Sequence, residues 1–127
     1  TAQGKHCVIF RGLGGRETTA QTLRARGASV DYCELYRRAL PPNAAAAWTQ
    51  WIEDTGTHKW ACVNSVETLQ NLLQVDARAA ARANLSLVVP GPRVTERAQR
   101  AGFTRVFTAI DATDNQIFQT ITRGYHR

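Results

Sequence analysis

Two spacings of apolar residues alternate along this chain. Short apolar runs typical of strands lie at 6–11, 29–36, 59–64, 85–89 and 105–109, separated by segments with helical spacing. In 44–54, for example, Trp48, Trp51 and Ile52 recur at the i, i+3, i+4 spacing of an amphipathic helix. Further helices are predicted at 16–26, 65–73, 93–101 and from residue 113 onward, with an exposed helical segment at 75–84. Strands that alternate with helices predict an α/β fold with parallel strands and helices on both faces.

The pattern also predicts local details. Alternation in the second strand places Val30, Tyr32, Glu34 and Tyr36 on one face of its sheet. Ser65 is expected to cap the helix that follows it. The other predicted caps are Asn43 and Thr113, and the apolar residues expected to point inward from the last helix are Ile117, Phe118 and Ile121.

Four strand-to-helix corners are expected at the carboxyl edge of the parallel strands, because right-handed crossovers bring such corners to one edge. They lie at 11–16, 64–67, 90–95 and 110–114. The first three carry glycine, small hydroxyl residues or arginine, and helix N-termini favour anions. Asp111 and Asp114 make the last corner unsuitable for an anion.

The first corner contains Gly12, Gly14 and Gly15, flanked by Arg11 and Arg16. It lacks the Gly-Lys-Ser/Thr ending of a phosphate-binding P-loop, and no third glycine completes a dinucleotide fingerprint. Two interpretations remain open: a turn that needs a positive φ, or an anion site.

Composition narrows the classes of partner. The 127 residues carry 16 Lys+Arg against 10 Asp+Glu, a net charge of +6, and lysine occurs only at Lys5 and Lys59. Arginine favours bidentate binding of carboxylate or phosphate, so an anionic ligand is expected. The basic residues are dispersed, which argues against nucleic acid. No apolar run approaches the ~20 residues of a membrane helix, and no apolar signal region begins the chain.

Cysteine and histidine usage argues against disulfides and metals. The three cysteines have no CxxC spacing, which favours buried free thiols in a reducing cytoplasm. The histidines are scattered and none pairs at ligand spacing. The residues concerned are Cys7, Cys33, Cys62, His6, His58 and His126.

Several segments together resemble uroporphyrinogen-III synthase. The resemblance begins with Val-Ile-Phe-Arg-Gly-Leu-Gly-Gly-Arg-Glu at 8–17 and continues with Leu-Arg-Ala-Arg-Gly-Ala-Ser-Val-Asp-Tyr-Cys-Glu-Leu-Tyr-Arg-Arg at 23–38. Val-Asn-Ser-Val-Glu at 63–67 and Val-Pro-Gly-Pro-Arg-Val at 89–94 follow in order, as do Ala-Gly-Phe at 101–103 and Ala-Thr-Asp at 112–114. The ordered set covers most of the chain, and its first block is the most distinctive.

The resemblance implies a particular domain organisation. The family has two flavodoxin-like α/β domains joined by a two-stranded ladder, and this sequence resembles its C-terminal half. Residues 1–36 would then be the second half of the inner domain, 37–42 a linker strand, and 43–127 the returning half of the outer domain. Open sheet edges would require the missing N-terminal half or a copy of the chain that exchanges elements with it. A single five-stranded sheet is the further alternative.

The resemblance also implies a reaction. The family cyclises hydroxymethylbilane, a linear tetrapyrrole, to uroporphyrinogen III with loss of water and inversion of ring D, through an azafulvene cation and a spiro intermediate. No cofactor or metal takes part, and the substrate carries a carboxylate on every acetate and propionate arm. The expected protein is therefore a cytoplasmic lyase of tetrapyrrole biosynthesis. A fragment spanning half of the cleft is expected to be inactive by itself.

Site residues follow from the family motifs. Tyr36 matches the tyrosine placed at a strand end, where a protonated phenol can donate a proton to the departing hydroxyl. Val94 stands where the family usually has a hydroxyl residue. The positions implied to bind substrate are Arg11, Gly14, Gly15, Arg16, Ser65, Val66, Gly91, Pro92 and Arg93.

Structural alternatives remain for four of these residues. Tyr36 would otherwise pack on a domain face, Ser65 would be a plain helix cap, and Arg11 or Arg16 would pair with Glu17 or Glu34. The alternative function is a non-catalytic α/β module that binds a small anionic ligand.

Overall fold

The computed structural model describes residues 1–54 and 56–126. The chain divides into two compact units, Thr1–Leu40 and Pro41–Arg127. Each unit has its own parallel sheet, so the predicted α/β class is confirmed. The alternative of a single five-stranded sheet is wrong, because the strands of the described residues form one two-stranded and one three-stranded sheet.

The first unit is a β–α–β motif. It consists of β1 (His6–Gly12), α1 (Thr18–Ala25) and β2 (Ser29–Tyr36). Helix α1 covers one face of the sheet, where Ala20 and Val30 are buried. The other face carries Val8 and Phe10, which remain 47% and 69% exposed. A two-stranded sheet with one helix therefore buries only a small core.

The second unit contains the larger sheet, in the order β3-β4-β5. Its elements are α2 (Ala44–Glu53), β3 (Lys59–Cys62), α3 (Val66–Val75), β4 (Leu85–Pro90), α4 (Gly91–Arg100), β5 (Val106–Ala109) and α5 (Asp114–Tyr125). None of the helices within residues 1–54 and 56–126 has the length and apolar character that a bilayer span requires.

The core of the second unit is built around β4. Residues 85–89 are all buried, and Leu87 and Val88 have no exposed surface. A central parallel strand is covered on both faces, which explains its continuous apolar run. Leu87 lies in one cluster with Leu69 of α3 and with Val94 and Ala98 of α4.

The opposite face of this sheet packs against α5. The rings of Trp60 and Phe107 have their centroids 4.8 Å apart. A Cβ on Gly124 of α5 would lie 2.5 Å from Trp60 Cη2 and 2.9 Å from Phe107 Cε1. Glycine at this helical position therefore allows α5 to approach the aromatic pair closely.

The predicted helical segment at 75–84 is wrong. Val75 ends α3, and beyond it only Ala79–Ala81 forms a short 3-10 helix, in which Ala79 is fully buried. The carboxylate of Asp76 organises this segment by accepting hydrogen bonds from Trp48 Nε1 at 2.8 Å and Arg82 Nε at 2.6 Å. Burial acts to raise the pKa of Asp76, but the hydrogen bonds from Trp48, Arg82 and the Arg78 backbone hold it below its ordinary value.

Other local predictions have mixed outcomes. Ser65 caps α3 as predicted, because its Oγ accepts a hydrogen bond from Thr68 N at 3.1 Å. The side chains of Asn43 and Thr113 cap no helix. Phe118 is 69% exposed rather than directed inward, since it lies on the outer side of α5.

The cysteines are free thiols, as predicted, but they are not deeply buried. Cys7 and Cys33 are partly buried, and Cys62 at the end of β3 is exposed. The strands that contain these cysteines lie at the edges of their sheets, so each pairs with a single neighbour within the described residues.

A polar network lies at the amino edge of the larger sheet. Ser86 is completely buried, and its Oγ accepts a hydrogen bond from Arg105 Nε at 3.2 Å. His58 Nε2 lies 2.8 Å from the same oxygen. Because arginine can only donate, the serine hydroxyl is free to donate to a neutral His58. The His58 residue as a whole is exposed, but partial desolvation of its ring, and secondarily the charge of Arg105, lowers its pKa.

This network predicts a pH-dependent stability. The folded-state pKa of His58 lies below its ordinary value of 6.5. The unfolded chain therefore binds the proton first as the pH falls, so the contribution of His58 to stability is fully present above about pH 6.5 and is lost as the pH falls through its folded-state pKa. In His58→Gln, the free energy of unfolding should fall less between about pH 7.5 and about pH 5.5 than in the parent chain. Denaturant unfolding at both pH values measures this difference.

The control is His126→Gln, because His126 is exposed like His58 but contacts the ring of Tyr125 rather than the Ser86 network. It should retain the pH dependence of the parent. Equal pH dependence of the parent and His58→Gln would show that this network does not resist protonation.

Candidate functional site

The carboxyl edge of the first unit is organised by Arg11. Its side chain is only 14% exposed, and its Nη2 lies 3.0 Å from Glu17 Oε1 and 3.7 Å from Glu34 Oε1. Nη1 donates to the carbonyl oxygens of Gly15 and Arg16 at 3.3 and 3.4 Å. The guanidinium therefore ties the loop between β1 and α1 to the end of its own strand.

Tyr32 completes this cluster. The guanidinium carbon of Arg11 lies 3.7 Å from the centroid of the Tyr32 ring, a cation–π arrangement. The Tyr32 hydroxyl donates to Glu17 Oε2. That hydrogen bond, followed by the interactions with Arg11, lowers the pKa of Glu17, and Glu17 in turn raises the pKa of Tyr32. The carboxylate is thus kept ionised beside the arginine.

Arg16 differs from Arg11 in its surroundings. Its side chain is exposed, and it forms no ion pair within the described part of the chain. Gly14 adopts a φ of +76°, in the left-handed region that glycine tolerates best. The loop therefore uses its glycine for a turn and one arginine for internal support, and it leaves Arg16 available to a ligand.

Tyr36 is placed by an irregularity in the pairing of β1 with β2. Arg11 pairs with Glu34, but the next residue, Gly12, pairs with Tyr36, so Leu35 is the extra residue of a bulge. Leu13 N donates to the Tyr36 carbonyl oxygen at 2.7 Å beyond the bulge. Tyr36 is 56% exposed.

The bulge changes the face that Tyr36 occupies. Unbroken alternation predicts that Tyr36 shares a face with Tyr32 and Glu34. Instead its ring lies beside Gly12, at the position where a Cβ on that residue would point. Successive residues of a strand point to opposite faces, so Gly12 and Arg11 have opposite side-chain directions. The predicted placement of Tyr36 on the Tyr32 face is therefore wrong.

In the second unit, the Ser65 hydroxyl at the N-terminus of α3 already forms hydrogen bonds within the protein. Ser65 Oγ caps the backbone of Thr68 and also lies 3.0 Å from Thr68 Oγ1. The Val66 side chain packs against the core. A ligand at this corner would be bound by the backbone N–H groups of the first turn, which a helix leaves without intrahelical partners.

The N-terminus of α4 is the most favourable anion corner of this sheet. Gly91 has a φ of +69°, no acidic residue lies in the first turn, and no side chain caps it. Arg93 is exposed and forms no ion pair within the described residues. Pro92 is one of the first helical residues and contributes no N–H. Arg93 and the remaining N–H groups carry the positive potential here.

Val94, at the position where the family usually has a hydroxyl residue, packs in the core, and the next residue, Thr95, carries a hydroxyl. Val94 is 7% exposed and belongs to the core, so it presents no side chain to this edge. The neighbouring hydroxyl is that of Thr95, which donates to the Gly91 carbonyl oxygen at 3.0 Å and lies 2.6 Å from Thr108 Oγ1. Thr95 therefore braces the turn, and sequence reasoning missed it.

The third corner of this edge is acidic and internally bonded. Asp111 Oδ1 accepts hydrogen bonds from Thr113 N at 2.9 Å and from Thr113 Oγ1 at 2.5 Å. These bonds lower the pKa of Asp111. Asp114 adds a second carboxylate in the first turn of α5. An ionised carboxylate at this corner opposes an anionic ligand.

Comparison with known proteins places this arrangement in a family. A family model described as uroporphyrinogen-III synthase HemD matches residues 1–119. The chain belongs to the uroporphyrinogen-III synthase family.

Curated members of the uroporphyrinogen-III synthase family are similar over different lengths. Uroporphyrinogen-III synthase of Escherichia coli (strain K12) is 31% identical over 122 residues, 93% of this chain and 49% of the relative. The protein of the same name from Salmonella typhimurium (strain LT2) shows the same values. That of Proteus mirabilis is 38% identical over 72 residues, 56% of this chain and 35% of the relative. The chain spans about half the length of the first two relatives.

The structure groups the site residues that the synthase resemblance implied. The first unit holds Tyr36 and the loop of Gly14, Gly15 and Arg16, and the second holds the corners at Ser65 and Gly91. Their roles in binding or catalysis stay predictions. Sequence reasoning considered the pairing of Arg11 with Glu17 but missed Tyr32 and Gly12, because both depend on the register of β1 against β2.

Because the Arg11 guanidinium holds the loop between β1 and α1, replacing it is expected to reduce the order of that loop. Arg11→Lys keeps the charge but loses the planar fork and the stacking on Tyr32. Amide hydrogen exchange at residues 13–16 should become severalfold faster than in the parent. Arg26→Lys is the matched control, since Arg26 is exposed and forms no ion pair within the described residues. Unchanged exchange in Arg11→Lys would show that Arg11 does not order this loop.

Proposed function

We propose that this chain forms part of a synthase that cyclises hydroxymethylbilane to uroporphyrinogen III, a lyase reaction of tetrapyrrole biosynthesis. The match of the family model to residues 1–119 carries the proposal. The site geometry supports it, because exposed arginines and uncapped helix N–H groups suit a ligand with many carboxylates.

The binding role is divided among the corners by their charge. Arg93 and the first turn of α4 form the strongest carboxylate site, because no acidic residue lies there. Arg16 provides a second cation in the loop after β1. The first turn of α3 contributes backbone donors beside Ser65, with Glu67 moderating their potential. Arg11 acts indirectly by holding the loop that carries Arg16.

The catalytic role falls to Tyr36. Its phenol donates a proton to the departing hydroxyl, which leaves as water and yields the azafulvene cation. The exposed position of the ring supports this role, since a buried phenol would not reach a substrate. A positioned general acid typically contributes about 10²–10⁴-fold to a rate. Folding the bilane so that its ends meet supplies much of the remaining acceleration.

The first test concerns the chain alone. Because the chain spans about half the length of its relatives, we expect it to bind uroporphyrinogen-type polycarboxylates without turning over hydroxymethylbilane. Incubation with fresh substrate, followed by separation of the type I and type III products, should give the spontaneous background alone. Type III product above that background would contradict the expected inactivity.

The same preparations separate the proposal from its alternatives. A full-length synthase that carries these residues should yield type III product. Ligand binding without product in that protein would favour a non-catalytic anion-binding module. Retention on DNA with a steep salt dependence and no polycarboxylate binding would contradict the synthase function.

The second test concerns Tyr36. In the full-length synthase, Tyr36→Phe should lower kcat by about 10²–10⁴-fold with little change in KM, because it removes the proton donor and keeps the ring. Tyr125→Phe is the matched control, since Tyr125 is exposed at the end of α5. Unchanged kcat in Tyr36→Phe would remove this residue from the mechanism.

A further inference from the structure

Gly12 has a contact that its place in the glycine loop does not explain. A Cβ built on Gly12 would lie 2.5 Å from Cε2, 2.8 Å from Cζ and 3.0 Å from Cδ2 of Tyr36. Real Cβ atoms do not approach other atoms this closely, so the ring of Tyr36 occupies the space of the missing side chain. Gly12 is absent from the glycines with a positive φ, so its backbone does not itself require glycine.

The surrounding backbone brings the ring to this place. The bulge pairs Tyr36 with Gly12, and the hydrogen bond from Leu13 N to the Tyr36 carbonyl oxygen fixes the strand end beside it. The two other nearby loop glycines differ. Gly14 needs its positive φ and has open space around it, while a Cβ on Gly15 would make an ordinary 3.5 Å contact with Arg11 Cδ.

We infer that Gly12 is a positioning residue that seats the Tyr36 ring and so sets where its hydroxyl lies. The inference rests on the proposed role of Tyr36 for its effect on turnover, but the seating itself is a property of the first unit. Any side chain at position 12 displaces the ring, and the phenol then misses the geometry that proton transfer requires. Displacement of about 1 Å can cost about 10²-fold in rate.

The first experiment observes the ring directly. The chain contains three tyrosines, so ring-labelled tyrosine gives three sets of NMR signals, and the set lost in Tyr36→Phe belongs to Tyr36. Gly12→Ala should shift the Tyr36 signals, while those of Tyr32 and Tyr125 report that each unit is folded. Gly15→Ala is the matched control and should leave the Tyr36 signals in place. Unmoved Tyr36 signals in Gly12→Ala would overturn the inference.

A second variant covers the case in which Gly12→Ala unfolds the first unit. Gly12→Ala combined with Tyr36→Ser should then fold, because no ring remains to meet the new methyl group. Restored Tyr32 signals would support the steric contact, and persistent unfolding of the double variant would overturn it.

The kinetic experiment uses the full-length synthase. Gly12→Ala should lower kcat toward the level of Tyr36→Phe, with KM changed little. In the Tyr36→Phe background the same Gly12→Ala substitution should cause no further loss, because there is no phenol left to misplace. A full multiplicative loss in the double variant, or parental kcat in Gly12→Ala, would overturn the inference.

The two failures are distinguishable. If Tyr36→Phe keeps the parental kcat, the proposed catalytic role of Tyr36 fails while the NMR experiment still decides whether Gly12 seats the ring. If Tyr36→Phe is impaired and Gly12→Ala is not, the seating inference fails and the catalytic role of Tyr36 stands.

Discussion

Parallel pairing around the buried strand β4 is the constraint on which the larger unit depends. With both neighbours parallel and both faces covered, every residue from 85 to 89 is withdrawn from water. The three strands therefore end at one edge, and the helices that follow begin there with unpaired N–H groups. The location of the candidate carboxylate site is thus a consequence of core packing. The opposite, amino edge carries the network of Ser86, His58 and Arg105. In this network, Arg105 alone favours an anion.

The smaller unit depends on polar contacts more than on a buried core. One helix on a two-stranded sheet buries few side chains, so apolar burial alone contributes little order to the loop after β1. Arg11 compensates by making charge-assisted contacts with the loop and by stacking on Tyr32. Its ion pair with Glu17 neutralises the positive charge that, from the sequence pattern, was expected to bind a ligand. Arg16, two positions beyond Gly14, keeps an exposed charge. Two arginines that look alike in the sequence thus have different physical roles.

Much of the fold could be predicted from the periodicity. The bounds of β2 were predicted to the residue, and those of α2, α3 and β4 to within two residues, because apolar spacing and an N-cap such as Ser65 are local signals. The structure of residues 75–84 could not be predicted in this way, since their alanines and arginines favour a helix locally. The buried carboxylate of Asp76, with its donors Trp48 and Arg82, outweighs that preference. Phe118 was misplaced for a related reason: an apolar residue in a helix reveals its face only when the packing partner is known.

The sequence by itself determined the α/β class, the parallel corners and the ordered motifs that point to the synthase family, because periodicity, turn residues and motif order are properties of neighbouring positions. Only the tertiary structure decided which charged side chains pair within the protein and where Tyr36 lies. Because of a single bulge at Leu35, the Tyr36 ring packs against Gly12 instead of lying on the face that alternation predicts. No pattern within either strand contains that information, since the register between two strands depends on contacts across the sheet.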